Sequence, residues 1–279
     1  MSAHSSDSED FGPDGMFEEP EGYFQPPPEP TAVVFERKPS LVASGSLDKI
    51  TINLLGSHPL WGHHLWNAAK TFANYLDENK SIVADKSVLE LGAAGALPSL
   101  ISACNGAKQV VITDYPDHDL VENIRKNVEV NMPEKLANGS VKVTGFKWGS
   151  DIERIASLCN VAIDSVEGAA RNVYDVLILC DLVFNHSEHT ALLRSVKELM
   201  AGPSENSNGG EAYVFFTHHR PWLADKDMAF IERARDELGL QVTRVCEEYT
   251  GAMFENDPGD ERVRGTVHGF RLAYPAASD

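Results

Sequence analysis

Apolar residues recur along this chain with two alternating periods. Short continuous apolar runs at 87–91, 109–113, 141–146, 174–180 and 212–217 read as buried strands. Between and after them, 97–105, 119–131, 152–159, 188–200 and 226–238 carry apolar residues three and four apart, the spacing of a helix with one buried face. An earlier helix is predicted over 61–77, where Leu65, Ala68, Ala69, Phe72 and Leu76 share that spacing. Ahead of it, 33–36 and 50–54 predict a strand hairpin that precedes the main domain. The last two strands, 241–247 and 267–272, follow one another without a helix. Continuous apolar strands separated by amphipathic helices describe a parallel sheet covered on both faces. The expected architecture is therefore α/β: a doubly wound, mostly parallel seven-stranded sheet with an antiparallel last strand. That ending is not usual for nicotinamide-binding domains.

Composition changes this picture only at the front of the chain. Residues 1–31 hold Asp7, Glu9, Asp10, Glu18, Glu19 and Glu21, then Pro26, Pro27, Pro28 and Pro30. Such a segment buries too little apolar surface to offset its ordering entropy. The expected organisation is a mostly disordered acidic, Pro-rich tail over 1–31 and one domain over 32–279. The aromatic patch from Phe17 to Phe24 is expected to tether the tail to the domain or a partner. The 279 residues carry a formal net charge of −18. A field of that sign repels nucleic acid and anionic membrane and favours a basic protein partner. No apolar run approaches the roughly 18 residues of a membrane helix. The front of the chain has no signal-peptide pattern, and Cys104, Cys159, Cys180 and Cys246 stand far apart. A cytoplasmic protein with reduced cysteines is expected.

The chemistry is concentrated in the first two βα units. Val88-Leu89-Glu90-Leu91-Gly92-Ala93-Ala94-Gly95-Ala96-Leu97-Pro98 runs a strand into a small-residue turn and then a helix. Tiny side chains let the backbone approach a ligand there, and the helix start offers free N–H groups. Asp114 follows about 20 positions later, at what reads as an exposed strand end, where a cofactor's ribose hydroxyls are held. Together these two signals point to an adenosine-containing cofactor.

Five elements in order resemble the seven-β-strand S-adenosylmethionine-dependent methyltransferases, in the family 16 branch of protein lysine methyltransferases. They are Trp66-Asn67-Ala68-Ala69, Glu90-Leu91-Gly92-Ala93-Ala94, Asp114, Trp148-Gly149 and Asp181-Leu182-Val183-Phe184. Within the branch, the chain is similar to enzymes acting on the initial glycine and adjacent lysine of translation elongation factor 1-alpha. The acidic tail, Pro59-Leu60-Trp61-Gly62-His63, and the stretch from Asp181 to His189 carry that further likeness. The resemblance implies S-adenosylmethionine as cofactor and the elongation factor as partner, with neither nucleic acid nor membrane involved. It implies that Gly92, Ala93 and Ala94 pass along the cofactor's methionine part, that Asp114 binds the ribose, that Trp148 contacts the adenine, that Trp66 borders the amino-acid end and that Cys180 backs the site. It assigns the acceptor amine to Asp181 and its cationic form to the ring of Phe184.

Two departures from the family pattern stand out. Ala94 and Ala96 occupy positions that are commonly glycine, so a turn with negative φ at both is expected. Phe184 replaces a commoner tyrosine, keeping the aromatic wall but not the hydroxyl. Asp181 could alternatively cap the following helix. His186, His189, His218 and His219 lie at carboxyl ends of strands and are expected at a rim facing substrate, with no metal. The residues alone leave open a small-molecule methyltransferase or a non-catalytic binding module of the same fold. A nicotinamide oxidoreductase would want a Tyr-x-x-x-Lys pattern, which is not found.

Overall fold

The computed structural model describes residues 28–159, 173–204 and 207–275. The expected aromatic tether and most of the expected tail lie outside these residues. The first described elements are β1 (Thr31–Glu36) and β2 (Lys49–Leu54), an antiparallel two-stranded sheet. Next come α1 (Asn67–Glu78), β3 (Ser87–Leu91), α2 (Leu97–Cys104), β4 (Gln109–Asp114), α3 (His118–Asn131), α4 (Pro133–Ala137) and β5 (Val141–Gly145). The second half holds α5 (Glu153–Ala156), β6 (Val176–Cys180), α6 (His189–Leu199), β7 (Glu211–Thr217), α7 (Ala224–Asp236), β8 (Gln241–Tyr249), α8 (Glu261–Gly265) and β9 (Thr266–Ala273).

The main sheet has seven strands in the order β5-β4-β3-β6-β7-β9-β8. β3 to β7 are mutually parallel, and β9 enters antiparallel between β7 and β8. Because side chains alternate across a strand, each strand supplies two cores. Val88, Ile178 and Phe215 face one layer with Phe72, Leu100, Ile124 and Ile52. Their neighbours Leu89, Leu91, Leu179 and Phe216 face the other, with Leu192, Val196 and Phe230. This is the doubly wound sheet anticipated from the apolar runs. The strand order reverses between β3 and β6, and open α/β sheets place their ligands at such a reversal.

Two predicted helices are shorter than their patterns. The helix expected from residue 61 begins at Asn67, because 61–66 takes an irregular path with Trp61 at φ +61°. Gly62 lies so close to Leu120 of α3 that a Cβ would sit 2.4 Å from its Cδ2, so this segment packs across the domain instead of coiling. The helix expected over 152–159 is a single turn, α5.

The hairpin is docked on α3 by an amide ladder. Asn123, Asn127 and Asn131 recur every four residues and so share one helical face. Asn131 donates to Thr51 O at 2.8 Å and accepts from Thr51 N at 2.9 Å. Asn127 accepts from Asn53 N at 2.7 Å and donates to Asn53 O at 3.0 Å, with Asn123 donating to the same carbonyl at 3.0 Å. The helix thus satisfies the free edge of β2, which would otherwise bury unpaired backbone groups. On the far side of the hairpin, buried Arg37 grips Asp77 through two hydrogen bonds of 2.9 and 2.7 Å and reaches Asn105 at 2.8 Å.

Candidate active site

Gly92 ends the run out of β3 at φ +63°, and a Cβ there would come within 2.6 Å of Leu182 and 3.2 Å of the Trp148 ring. Leu182 and Trp148 therefore close on the glycine turn from the sides of β6 and β5. The expectation of negative φ at the two alanines is overturned. Ala94 has φ +46° and Ala96 φ +63°. Each left-handed alanine costs roughly 1 kcal/mol or more, and the surroundings must hold it. Ala93 N donates to Thr113 O at 3.0 Å, Ala94 N to Asp114 Oδ2 at 2.8 Å, and Ala96 N to Ala93 O at 2.7 Å. Asn127 adds a bond to Gly95 O at 3.2 Å, which links the turn to the amide ladder. The loop thus keeps the shape glycine would give it, with an imposed strain.

Asp114 is not at an exposed strand end. Only 9% of it is accessible, and its Oδ1 accepts Tyr115 N at 2.7 Å while Oδ2 holds Ala94 N. Burial pushes its pKa up, opposed by these two amide bonds and by nearby His58. Each oxygen retains lone-pair capacity for a further donor. Beneath it, Glu90 of β3 is enclosed, and its Oε2 accepts Ser99 N in the first turn of α2 at 3.0 Å. Burial raises the Glu90 pKa to about 8, against the Ser99 hydrogen bonds. Glu90 lies within the sequence motif, where its spacing assigns it no role. Its charge among apolar strand residues was the available signal.

Asp181, just past β6, is also in the left-handed region, with φ +53°. Its Oδ1 accepts Thr217 N at 3.1 Å and pairs with His219 Nε2 at 3.1 Å. Its Oδ2 is buried with no hydrogen-bond partner. Neither the 3-10 turn His186–Glu188 nor α6 has a side-chain N-cap, so Asp181 caps no helix. Cys180, the preceding residue, is buried in the core, and its thiol pKa is pushed up by burial and by the charges of Glu90 and Asp181. Phe184 is half-buried, its carbonyl accepting from Arg220 Nη2 at 3.0 Å.

Trp66 stands at the same end of the sheet. Its ring meets His219 edge-on at 5.0 Å, His64 at 5.3 Å and Phe254 at 6.1 Å. Asn67 fastens this wall by donating to Gly251 O at 3.0 Å. Phe254 lies in the loop after β8, where a lone aromatic among polar residues gives no signal in the sequence.

The histidines do not form one rim. His189 is buried and bound to Val183 O at 2.7 Å. His218 is also buried, with its Nδ1 on Asp227 Oδ2 at 2.8 Å, and His186 pairs with the other Asp227 oxygen at 2.7 Å. These three support the α6–α7 layer, each binding an internal partner through one ring nitrogen. His219 alone of the four is paired with Asp181. Among the described residues, no group of three or more His, Cys, Asp or Glu is placed to hold a metal ion. No helix among them is long and apolar enough to cross a membrane.

The donor set fits S-adenosylmethionine. The Gly92 turn runs bare backbone between Leu182 and Trp148, Asp114 offers acceptors at the end of β4, and Asp181 leaves one buried oxygen free at the end of β6. Comparisons with known proteins agree. A model of the family described as lysine methyltransferase matches residues 48–236. The protein N-terminal and lysine N-methyltransferase efm7 of Schizosaccharomyces pombe is 44% identical over 266 residues, covering 95% of this chain and 97% of that protein. EFM7 of Kluyveromyces lactis, with the same descriptive name, is 38% identical over 283 residues, covering 96% and 99%. Among solved structures, a Streptococcus mutans chain described as a SAM-dependent methyltransferase superposes with a TM-score of 0.54 at 17% identity. A methyltransferase structure complexed with SAH superposes with a TM-score of 0.53 at 16% identity. Both cover 90% of this chain and 57% of the longer one, and at such identity they speak for the fold alone. The match over most of the domain and the near-complete alignment with the relatives place this chain in the lysine methyltransferase family, a branch of the seven-strand S-adenosylmethionine-dependent methyltransferases.

Proposed function

We propose that the protein methylates the N-terminal α-amine and the adjacent lysine of a basic protein segment, carried by translation elongation factor 1-alpha, in the cytoplasm. The observation that carries this reading is the buried, unpartnered Oδ2 of Asp181, an anionic oxygen at the strand end beside the glycine turn. An ammonium group is the donor that would satisfy it. The names of the S. pombe and K. lactis relatives supply the N-terminal and lysine specificity. The net charge of −18 favours a basic acceptor.

When bound, S-adenosylmethionine supplies an electrophilic methyl group on a sulfonium. The protein's part is alignment, exclusion of water and control of the acceptor's proton. Gly92, Ala93 and Ala94 would line its methionine part, Asp114 the ribose, Trp148 the adenine and Trp66 the amino-acid end, with Cys180 behind. Asp181 would hold the acceptor amine, and the Phe184 ring would face its cationic form.

The test is mass spectrometry of elongation factor 1-alpha from cells lacking this protein. Loss of methylation at the initial glycine and its neighbouring lysine is expected. Unchanged methylation there would overturn the substrate assignment and leave the family membership intact.

A further inference from the structure

We infer that the basic side chains of the protein substrate dock on the loop after β8, through the carboxylates of Glu255 and Asp257 and the neighbouring ring of Trp222. The inference rests on the amine-methyltransferase reading above and deepens it by naming where the rest of the segment is held. An amine bound at Asp181 brings its own chain with it, and each extended residue spans about 3.3–3.6 Å. Side chains a few residues beyond the acceptor therefore leave the buried centre and meet the rim around it.

The loop is fastened at that rim. Near its start, Gly251 O accepts Asn67 Nδ2 at 3.0 Å. The Phe254 ring stands 6.1 Å from Trp66 and 5.2 Å from His64. Trp66 in turn meets His219, the partner of Asp181. Buried Arg264 of α8 donates to Phe254 O at 2.6 Å and to Gly259 O at 3.4 Å, so its cation is spent on carbonyls of the loop. Toward its end the loop packs on Pro221, where a Cβ at Gly259 would lie 2.9 Å from the proline ring. Side chains carried by a loop held in this way are presented from fixed positions, and binding to them costs little further ordering.

Residues 251–261 carry four carboxylates, and two of them have structural partners. Asp260 caps α8, accepting Arg262 N at 2.8 Å and Val263 N at 3.2 Å, and Glu261 accepts the Tyr249 hydroxyl at 2.9 Å. Glu255 and Asp257 are exposed, and among the described residues neither forms an ion pair or a side-chain hydrogen bond. Asp257 lies close enough to act on His219: burial draws that ring's pKa down, the hydrogen bond and charge of Asp181 outweigh it, and Asp227 and Asp257 add to the rise. The acidic rim thus adjoins the Asp181–His219 pair, in which the Asp181 side chain is 3% exposed and keeps Oδ2 without a partner. Trp222, next to Pro221, is 60% exposed and offers an aromatic face to a lysine or arginine side chain. The nearby cation Arg220 is turned to Phe184 O. Exposed carboxylates, an exposed indole and a buried unpartnered oxygen together suit a chain with one cation at its end and more along it.

The test compares wild type with a Glu255→Gln, Asp257→Asn double variant and with a control pair, Glu129→Gln and Glu134→Gln. The control removes the same charge from the end of α3 and from α4, near the start of β5 and away from the strand ends that carry the site. Two free-amine peptides beginning Gly-Lys are assayed at low salt and saturating S-adenosylmethionine, one continuing with lysine and arginine, the other with serine and glutamine. On the basic peptide the Glu255/Asp257 variant should raise KM about fivefold and leave kcat within about twofold, while the control and the neutral peptide show no such rise. Trp222→Ala should raise KM for the basic peptide in the same sense, and an unmoved KM would remove the ring from the surface. An equal rise in both double variants, or none in the Glu255/Asp257 pair, would overturn the inference. In parallel, anisotropy follows a labelled basic peptide with an acetylated N-terminus binding in the presence of S-adenosylhomocysteine, and binding should weaken about fivefold in the Glu255/Asp257 variant alone. If the wild type methylates neither peptide, the substrate reading fails instead, and the binding comparison decides the docking surface by itself.

Discussion

The carboxylate of Asp114 accepts the backbone N–H of Ala94 at 2.8 Å. The residue that ends β4 therefore holds in place the turn that follows β3, so loop shape and cofactor contact depend on one side chain. Asp114→Ala should weaken S-adenosylhomocysteine binding by roughly 2–4 kcal/mol, since ribose hydroxyls and a loop amide all lose an acceptor. It should also lower the melting temperature by several degrees, because the Ala94 and Tyr115 amides lose their acceptor. Calorimetry and a thermal melt check both, and an unchanged affinity would show that the cofactor lies elsewhere.

Ala94 offers a test of imposed strain. Its φ of +46° suits glycine, and it is only half-buried, so little packing is lost with the methyl group. Ala→Gly at an ordinary position costs about 0.4–1 kcal/mol through the unfolded chain. Relief of the left-handed strain, about 1–2 kcal/mol, should cancel or exceed that. Ala94→Gly is therefore expected to leave the melting temperature level or raise it by up to about 4 °C. A clear drop in thermal unfolding would mean that the turn carries no such strain.

Glu90 gives stability a specific pH dependence. Its folded pKa of about 8 lies above the ordinary carboxylate value of 4.5. Between those values the folded state binds more protons than the unfolded chain, so this residue's contribution is complete below about 4.5 and falls as pH rises to about 8. Glu90→Gln keeps an acceptor for Ser99 N and removes the titration. Denaturant melts at pH 5 and pH 8.5 should show a smaller loss of stability in the variant than in wild type. Equal losses would place the titration elsewhere.

Asn127 joins the hairpin to the glycine turn, bonding Asn53 N, Asn53 O and Gly95 O. Asn127→Ala takes that partner from Asn53 N and Gly95 O, at about 1–3 kcal/mol each, while Asn53 O keeps Asn123, so a destabilisation of at least about 2 kcal/mol is expected. Hydrogen exchange should speed up in both β2 and residues 93–96. Acceleration confined to β2 would show that the turn does not depend on the ladder.

Substrate capture should respond to salt. Attraction between an acidic protein and a basic segment is screened within about 10 Å at 0.1 M salt. Raising salt from 50 to 300 mM should raise KM for a basic peptide several-fold and change kcat little. A KM indifferent to salt would point to a neutral or apolar acceptor surface.

The sequence by itself determined the sheet and the order of its parts. Runs such as Val110 to Ile112 and Val176 to Cys180 are apolar on both faces, and the spacing of Leu192, Leu193 and Val196 suits a one-sided helix; both patterns are local. The turn after Leu91, Asp114 and Asp181 were legible as candidates because their position relative to a strand end can be counted along the chain. The tertiary structure decided what those residues touch. Positive φ at Ala94 and Ala96 comes from hydrogen bonds to Thr113, Asp114 and Asn127, remote in sequence, and no local propensity of alanine announces it. Asp114 became a buried brace through Ala94 N, twenty residues earlier. His218 and His219 are neighbours in the chain, yet their rings bond Asp227 and Asp181, because successive residues leaving β7 point to opposite sides. A strand's alternation can be read from one segment, but the partner it faces belongs to another.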